Sequence, residues 1–210
     1  QDGNLYTLGS ILNIVTNKNE IVIWKNGSIN LFASSSTNNY SPTSISVFKN
    51  DIYVCGIIQN AVGTTNKAFI WKNGFVEFMA DNSSSGDVAV NENGIHYLYT
   101  TFDPLTADAT IKYRKNDEEI VITAGTNPSK ITLKNNDVYF AGSENAPSGF
   151  KACYWKNGEK IALSDSYLAL AKELKVDNAG NIFVNALAAP VVVGTIDCEA
   201  PRALRKSLCG

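Results

Sequence analysis

The 210-residue sequence predicts an all-β fold, and within that class a β-propeller of four-stranded antiparallel sheets. Three observations predict it. Two series of short apolar segments share one period, Asn-, Asp- and Gly-rich turns bound the segments, and the composition favours strands. Nine Tyr and nine Phe against a single Met is the bias of pleated, half-buried surfaces.

The first series is Ile21-Val-Ile-Trp-Lys-Asn-Gly27, Ala68-Phe-Ile-Trp-Lys-Asn-Gly74, Ile111-Lys-Tyr-Arg-Lys-Asn-Asp117 and Ala152-Cys-Tyr-Trp-Lys-Asn-Gly158. Trp, or Arg in its place, stands at 24, 71, 114 and 155, at spacings of 47, 43 and 41 residues. The second series is Asn4-Leu-Tyr-Thr-Leu-Gly9, Asp51-Ile-Tyr-Val-Cys-Gly56, Gly94-Ile-His-Tyr-Leu-Tyr99, Asp137-Val-Tyr-Phe-Ala-Gly142 and Asn181-Ile-Phe-Val-Asn-Ala186. Two series with one period make a repeat. A period of roughly 40–45 residues with four strands per unit selects the propeller over the sandwich.

In the second unit the first strand is expected over 44–48, with a Lys49-Asn50-Asp51 turn after it. The second strand follows over 52–57, the third over 67–72 and the fourth over 75–79. Asn73-Gly74 joins the last two as a type I′ turn, whose central residues both need positive φ. Asn26-Gly27 and Asn157-Gly158 repeat that turn, whereas Asn116-Asp117 lacks the Gly and predicts a longer or more strained connection. Strands as apolar as Ile52-Tyr-Val-Cys-Gly-Ile-Ile58 fit sheets covered on both faces.

The chain opens in mid-unit, since Gln1-Asp-Gly-Asn-Leu5 matches the Asn178-Ala-Gly-Asn-Ile182 turn. The last unit reaches a second strand over 181–187, then Pro190-Val-Val-Val-Gly194 and a tail that leaves the repeat. The expected organisation is a repeat domain over 1–188, with a closing strand and irregular tail over 189–210. Five blades are expected, one incomplete, with the ring closed by both termini. Four blades of about 50 residues fit the length as well, as does a piece of a longer propeller.

At its Tyr/Ile-Trp-Lys-Asn-Gly segments the chain resembles secreted propeller-like repeat proteins, familiar in Bacteroidota and mostly uncharacterised. The resemblance covers roughly residues 4–188, with Arg114 and the stretch after Ala188 as departures. It implies a propeller frame on an exported protein, extracellular, at the cell surface or periplasmic. It names no ligand, because the fold hosts enzymes, lectins and scaffolds alike. Gln1 in place of an initiator Met reads as a mature form after signal removal or as an excised fragment.

A net charge of −2 gives no electrostatic footprint for nucleic acid, and no apolar run reaches the roughly 18 residues of a spanning helix. Arg202, Arg205 and Lys206 read as a solvated tail, and Cys198 and Cys209 are spaced to close a small loop in an oxidising compartment. Cys55 and Cys153 stand at apolar strand positions of the second and fourth units and read as buried free thiols. No Cys-x-x-Cys spacing or Asp-x-Asn-x-Asp-Gly loop is present, so neither metal nor cofactor is expected.

His96, the sole histidine, takes the place of Tyr6, Tyr53, Tyr139 and Phe183, and so reads as a packing residue. No Gly-x-Ser-x-Gly elbow accompanies it. Glu118 and Glu119 should point to opposite faces of one strand, and Asp81, Asp87 and Asp108 are expected in loops. Asn26-Gly-Ser28 and Asn82-Ser-Ser84 match the glycosylation sequon incidentally.

Trp24, Trp71 and Trp155 are the candidate ligand-binding residues, set against padding between blades, and Arg114 is the informative exception. The leading expectation is a non-enzymatic binding module that uses propeller loops to hold a glycan or a protein surface. Its variable connections are 34–40, 59–66, 101–109 and 143–149. The competing expectations are an assembly component of a cell-surface complex and a glycoside-active enzyme. The enzyme would use a central-channel site on the first strands, expected over 44–47, 88–90, 130–133 and 173–176, with Lys130, Glu173 and Lys175 as candidates.

Overall fold

A computed structural model describes residues 3–33, 35–60, 65–126, 128–147, 149–163 and 169–188. The expected closing strand at Pro190, the Cys198–Cys209 loop and the basic tail lie outside the described residues. Every strand pairing is antiparallel, and no helix occurs among the described residues.

The strands fall into five groups along the chain. The first is β1 (Tyr6–Asn13), β2 (Lys18–Lys25) and β3 (Ser28–Ala33). The second is β4 (Asn39–Phe48), β5 (Asp51–Gln59), β6 (Asn66–Lys72) and β7 (Phe75–Asp81). The third is β8 (Ser83–Asn91), β9 (Gly94–Phe102), β10 (Ala109–Lys115) and β11 (Glu118–Thr126). The fourth is β12 (Thr132–Lys134), β13 (Asp137–Ala146), β14 (Gly149–Lys156) and β15 (Glu159–Ala162). A two-stranded sheet, β16 (Ala169–Val176) with β17 (Ile182–Ala188), ends the series.

The four strands expected in the second unit all form, each reaching further than the sequence reading placed it. Three expectations need correction. Asp81 lies in β7 and Asp87 in β8 rather than in loops. The Asn116-Asp117 turn is no longer than its counterparts, because Lys115 still pairs with Glu118 across two residues. The 130–133 strand shrinks to the three residues of β12. Its place beside β13 is shared with the end of β11, where Gly125 and Thr126 pair with Glu144 and Ser143. That pairing fuses the third and fourth groups into one eight-stranded sheet. It needs glycine, since a Cβ at Gly125 would collide with the Ser143 carbonyl oxygen.

The turns are held by asparagine. Asn26, Asn73, Asn116 and Asn157 all have φ near +50°. Each side-chain Oδ1 accepts a hydrogen bond from the backbone N–H opposite, of Leu5, Ile52, Ile95 and Val138 respectively, at 2.9 Å. Asn suits left-handed backbone because its short polar side chain bonds locally.

Apolar clusters fill the gaps between successive groups. Ile21, Ile23, Val54, Phe69 and Trp71 pack between the first and second, and Tyr53, Cys55, Ile70, Tyr97 and Tyr99 between the second and third. Ile111, Phe140, Cys153 and Trp155 pack between the third and fourth, and Tyr139, Ala141, Ala169 and Leu174 between the fourth and the last. Polar contacts tie the leading strands in series. Ser46 Oγ accepts from Val90 N–H at 3.0 Å, Asp87 Oδ2 from Ile131 N–H at 2.7 Å, and the Leu174 carbonyl from Thr132 Oγ1 at 3.0 Å. No ladder joins β16–β17 to β1 among the described residues.

Candidate functional site

In the second group Asp51 organises one corner. It accepts from Asn73 Nδ2 at 2.7 Å, pairs with Lys72 at 3.0 Å and receives the Tyr53 hydroxyl at 3.5 Å, with Lys72 Nζ 5.4 Å from the Tyr53 ring centre. The fourth group repeats it: Asp137 accepts from Asn157 at 2.7 Å and Tyr139 at 3.0 Å, and Lys156 pairs at 2.9 Å. The hydrogen bonds from Asn157, Lys156 and Tyr139 pull the Asp137 carboxyl down to about 2. In the first group Asn4 replaces the carboxylate, but Lys25 still sits over the Tyr6 ring at 5.5 Å.

The third group loses both partners of its lysine. Gly94 stands where the carboxylate would be, with φ +130° and the Asn116 amide in the space a side chain would need. His96 stands where the tyrosine would be, paired across the ladder with Lys115. Among the described residues Lys115 makes no ion pair.

Around this lysine a cleft of about 240 Å³ opens between the third and fourth groups. Asn93, His96, Tyr113 and Lys115 line one side, and Asn136, Val138, Phe140 and Asn157 the other. The tight turns at Asn93, Asn136 and Asn157 build its rim, so it opens at the end opposite the connection between β9 and β10.

His96 is 1% exposed. The Tyr113 hydroxyl reaches Nδ1 at 2.6 Å, and Nε2 lies 3.3 Å from Asn91 Oδ1. The carboxamide oxygen can only accept, so Nε2 carries the proton and Nδ1 accepts from Tyr113. Burial, with the charge of Lys115, lowers the imidazole pKa to about 4. At neutral pH the ring is therefore uncharged, and Lys115 is the cleft's cation. The Tyr113 hydroxyl is spent on His96, and the Tyr113 ring centre lies 5.9 Å from that of Phe140 across the cleft.

The candidate tryptophans lie elsewhere. Trp71 is 4% exposed and Trp155 1%, each facing the preceding group. Trp71 nonetheless borders another cleft, of about 180 Å³, together with Tyr40, Phe69 and Val76. Trp24 is half-buried over Gly9, where a Cβ would approach the indole to 2.8 Å. Arg114 lies over the Phe78 ring at 4.4 Å and pairs with Asp117 at 2.9 Å. The space of the missing indole goes to Tyr99, which takes the place of Gly9, Gly56 and Gly142. Tyr99 stacks on Tyr97 at 5.2 Å, meets Phe78 edge-on at 5.4 Å and donates its hydroxyl to Glu119.

Cys55 and Cys153 are free and buried, and burial pushes the Cys55 thiol up to about 12. Burial raises the Asp87 carboxyl as well, and Asp87 ties β8 to Ile131. Burial alone would raise Glu119, but hydrogen bonds from Lys112 and Tyr99 outweigh it and hold the carboxyl low. Of the channel candidates, Glu173 pairs with Lys175 at 3.3 Å with both side chains well exposed, and Lys130 is exposed. Among the described residues no group of three His, Cys, Asp or Glu is placed to hold a metal ion. No helix among them is long and apolar enough to cross a membrane. No family model matches the chain, and no curated protein matches it either.

Sequence reading missed the cleft. Its signal was present in the second series, where Gly94, His96 and Tyr99 all depart from the repeat in the unit that also carries Arg114.

Proposed function

We propose that the chain is a non-enzymatic, exported binding module on a propeller-type frame, with the cleft around Lys115 as its ligand site. One observation carries this reading: the departures from the repeat at Gly94, His96, Tyr99 and Arg114 fall in one unit, and a cleft opens beside two of them. A frame of near-identical units places a ligand where the units differ. Groups of up to four strands, leading strands tied in series and cores between the groups support the propeller and its five blades. The likeness to secreted Trp-Lys-Asn-Gly repeat proteins supports the extracellular, cell-surface or periplasmic setting.

Binding without chemistry is favoured by the state of the titratable groups. His96 has both nitrogens engaged and is neutral at pH 7, and the thiols are buried. A glycan remains the first ligand class, bound by amides and a cation rather than by indole stacking. The test is a glycan array with the wild type and Asn136→Trp, which fills the cleft from an exposed turn. Array signals that vanish in the variant support the reading, and signals that persist unchanged overturn the cleft as the site. Turnover of any glycoside overturns the non-enzymatic assignment.

A protein partner is the second reading, favoured by β7. This strand ends its sheet and exposes Phe75, Val76 and Met79 at 75%, 49% and 44%. An unpaired apolar edge invites another chain.

A further inference from the structure

We propose that the cleft recognises a carboxylate-bearing sugar, a hexuronate residue, whose carboxylate pairs with Lys115 in the role that Asp51 and Asp137 fill for the equivalent lysines. This rests on the cleft being the module's ligand site, and goes beyond it by naming the ligand's chemistry.

The argument is one of charge and place. Lys72 and Lys156 are each neutralised by a carboxylate of their own group, at 3.0 and 2.9 Å. The same position in the third group is Gly94, and a side chain there would meet the Asn116 amide. The chain thus keeps the cation, deletes its counter-charge and blocks that space against a replacement. Lys25 also lacks a carboxylate but keeps an aromatic ring beneath it, whereas Lys115 has a buried imidazole beside it. Lys115 is half-buried and lines the cleft. A partly desolvated ammonium gains more from an anion than a fully hydrated one.

The rest of the wall selects the body that carries the carboxylate. Among the described residues the side chains of Asn93 and Asn136 make no hydrogen bond. Each amide presents two donors and an acceptor, suited to hydroxyl groups. The Tyr113 hydroxyl and both His96 nitrogens are already engaged, so the free amides and Lys115 are the polar groups left to a ligand. About 240 Å³ is smaller than the cavities that hold drug-sized molecules, roughly 300–1,000 Å³, and suits a single ring.

The experiment titrates the isotopically labelled full chain with sodium glucuronate, glucose and inorganic phosphate, following the side-chain amide signals of Asn93 and Asn136. Glucuronate should shift both signals, and glucose should bind at least tenfold more weakly. Lys115→Met should weaken glucuronate binding at least tenfold and Lys115→Arg by only a few-fold. Lys72→Met, at a lysine already neutralised by Asp51, should leave it unchanged. Melting curves establish which variants fold. Should Lys115→Met not fold, a fall in wild-type glucuronate affinity with added sodium chloride, absent for glucose, supports the pairing. Equal binding of glucose and glucuronate overturns the carboxylate while leaving the cleft as a ligand site. Phosphate binding as tightly as glucuronate overturns the sugar acid in favour of a general anion site. No shift with any of the three overturns both this inference and the cleft.

Discussion

His96 couples stability to pH through a single side chain. Its folded pKa is about 4 against 6.5 in the unfolded chain, so between those values the unfolded state binds more protons. Stability is therefore full above pH 6.5 and falls as pH drops toward 4, by roughly 3 kcal/mol in all. His96→Phe keeps a ring and removes the titration. Urea denaturation from pH 7 to 4 should show a steep loss for the wild type and a shallower one for the variant. Asp137 acts in a lower window, since its depressed pKa contributes stability that is lost only as pH falls through about 3.8 toward 2. The turn asparagines act through the backbone. Asn73→Ala loses the bonds to Ile52 and Asp51 and keeps a φ of +48°, so it should cost about 2–3 kcal/mol by chemical denaturation.

Between β9 and β10 a small–large pair has been exchanged. Trp155 lies against Gly142, where a Cβ would stand 3.2 Å from the indole, and Trp24 lies against Gly9 in the same way. The third group has Tyr99 and Arg114 instead. Restoring Trp at 114 alone crowds Tyr99 and Phe78, and should cost about 1–3 kcal/mol. Combined with Tyr99→Gly, the pair should cost less than the two single changes summed, as a double-mutant cycle would measure. Strands and turns at this scale were legible because a local signal encodes them: apolar runs for β5 and β6, Asn-Gly for the hairpins. The candidate site was not, because it is made by what one unit lacks. Ligand stacking and padding between sheets both fitted the tryptophans in the sequence, and the burial of Trp71 and Trp155 against the preceding sheet is a contact no single strand carries. Asp87 was misplaced for a related reason: Gly86 and its neighbours read as a loop, but they form an irregular stretch of β8 whose carboxylate bridges to another group.

For the whole molecule, each group packs on its neighbours in chain order, and among the described residues β17 makes no ladder with β1. In such a serial arrangement an interior sheet is held on both faces and a terminal one on a single face. Native-state hydrogen exchange should accordingly give the highest opening free energies in β5, β6, β9 and β13. Lower values are expected in β1 and β17. Uniform protection from β1 to β17 would overturn the serial arrangement. The all-β class was legible from composition and turn residues, whereas any contact between the two ends of the chain is something no single unit encodes.

The asparagine clamps also bear on how the protein ages. An Asn followed by Gly deamidates when the glycine amide nitrogen attacks the side-chain carbonyl carbon and expels ammonia. At Asn26, Asn73 and Asn157 the departing nitrogen is bonded to Asn4, Asp51 and Asp137, and the oxygen to a backbone N–H. Held at both ends, the amide cannot rotate toward its neighbour without first breaking the turn. The three sites thus act as chemical timers that run in unfolded chains and stand nearly still in folded ones. Peptide mapping of stored samples should find isoaspartate at these positions in proportion to the time each turn has spent open.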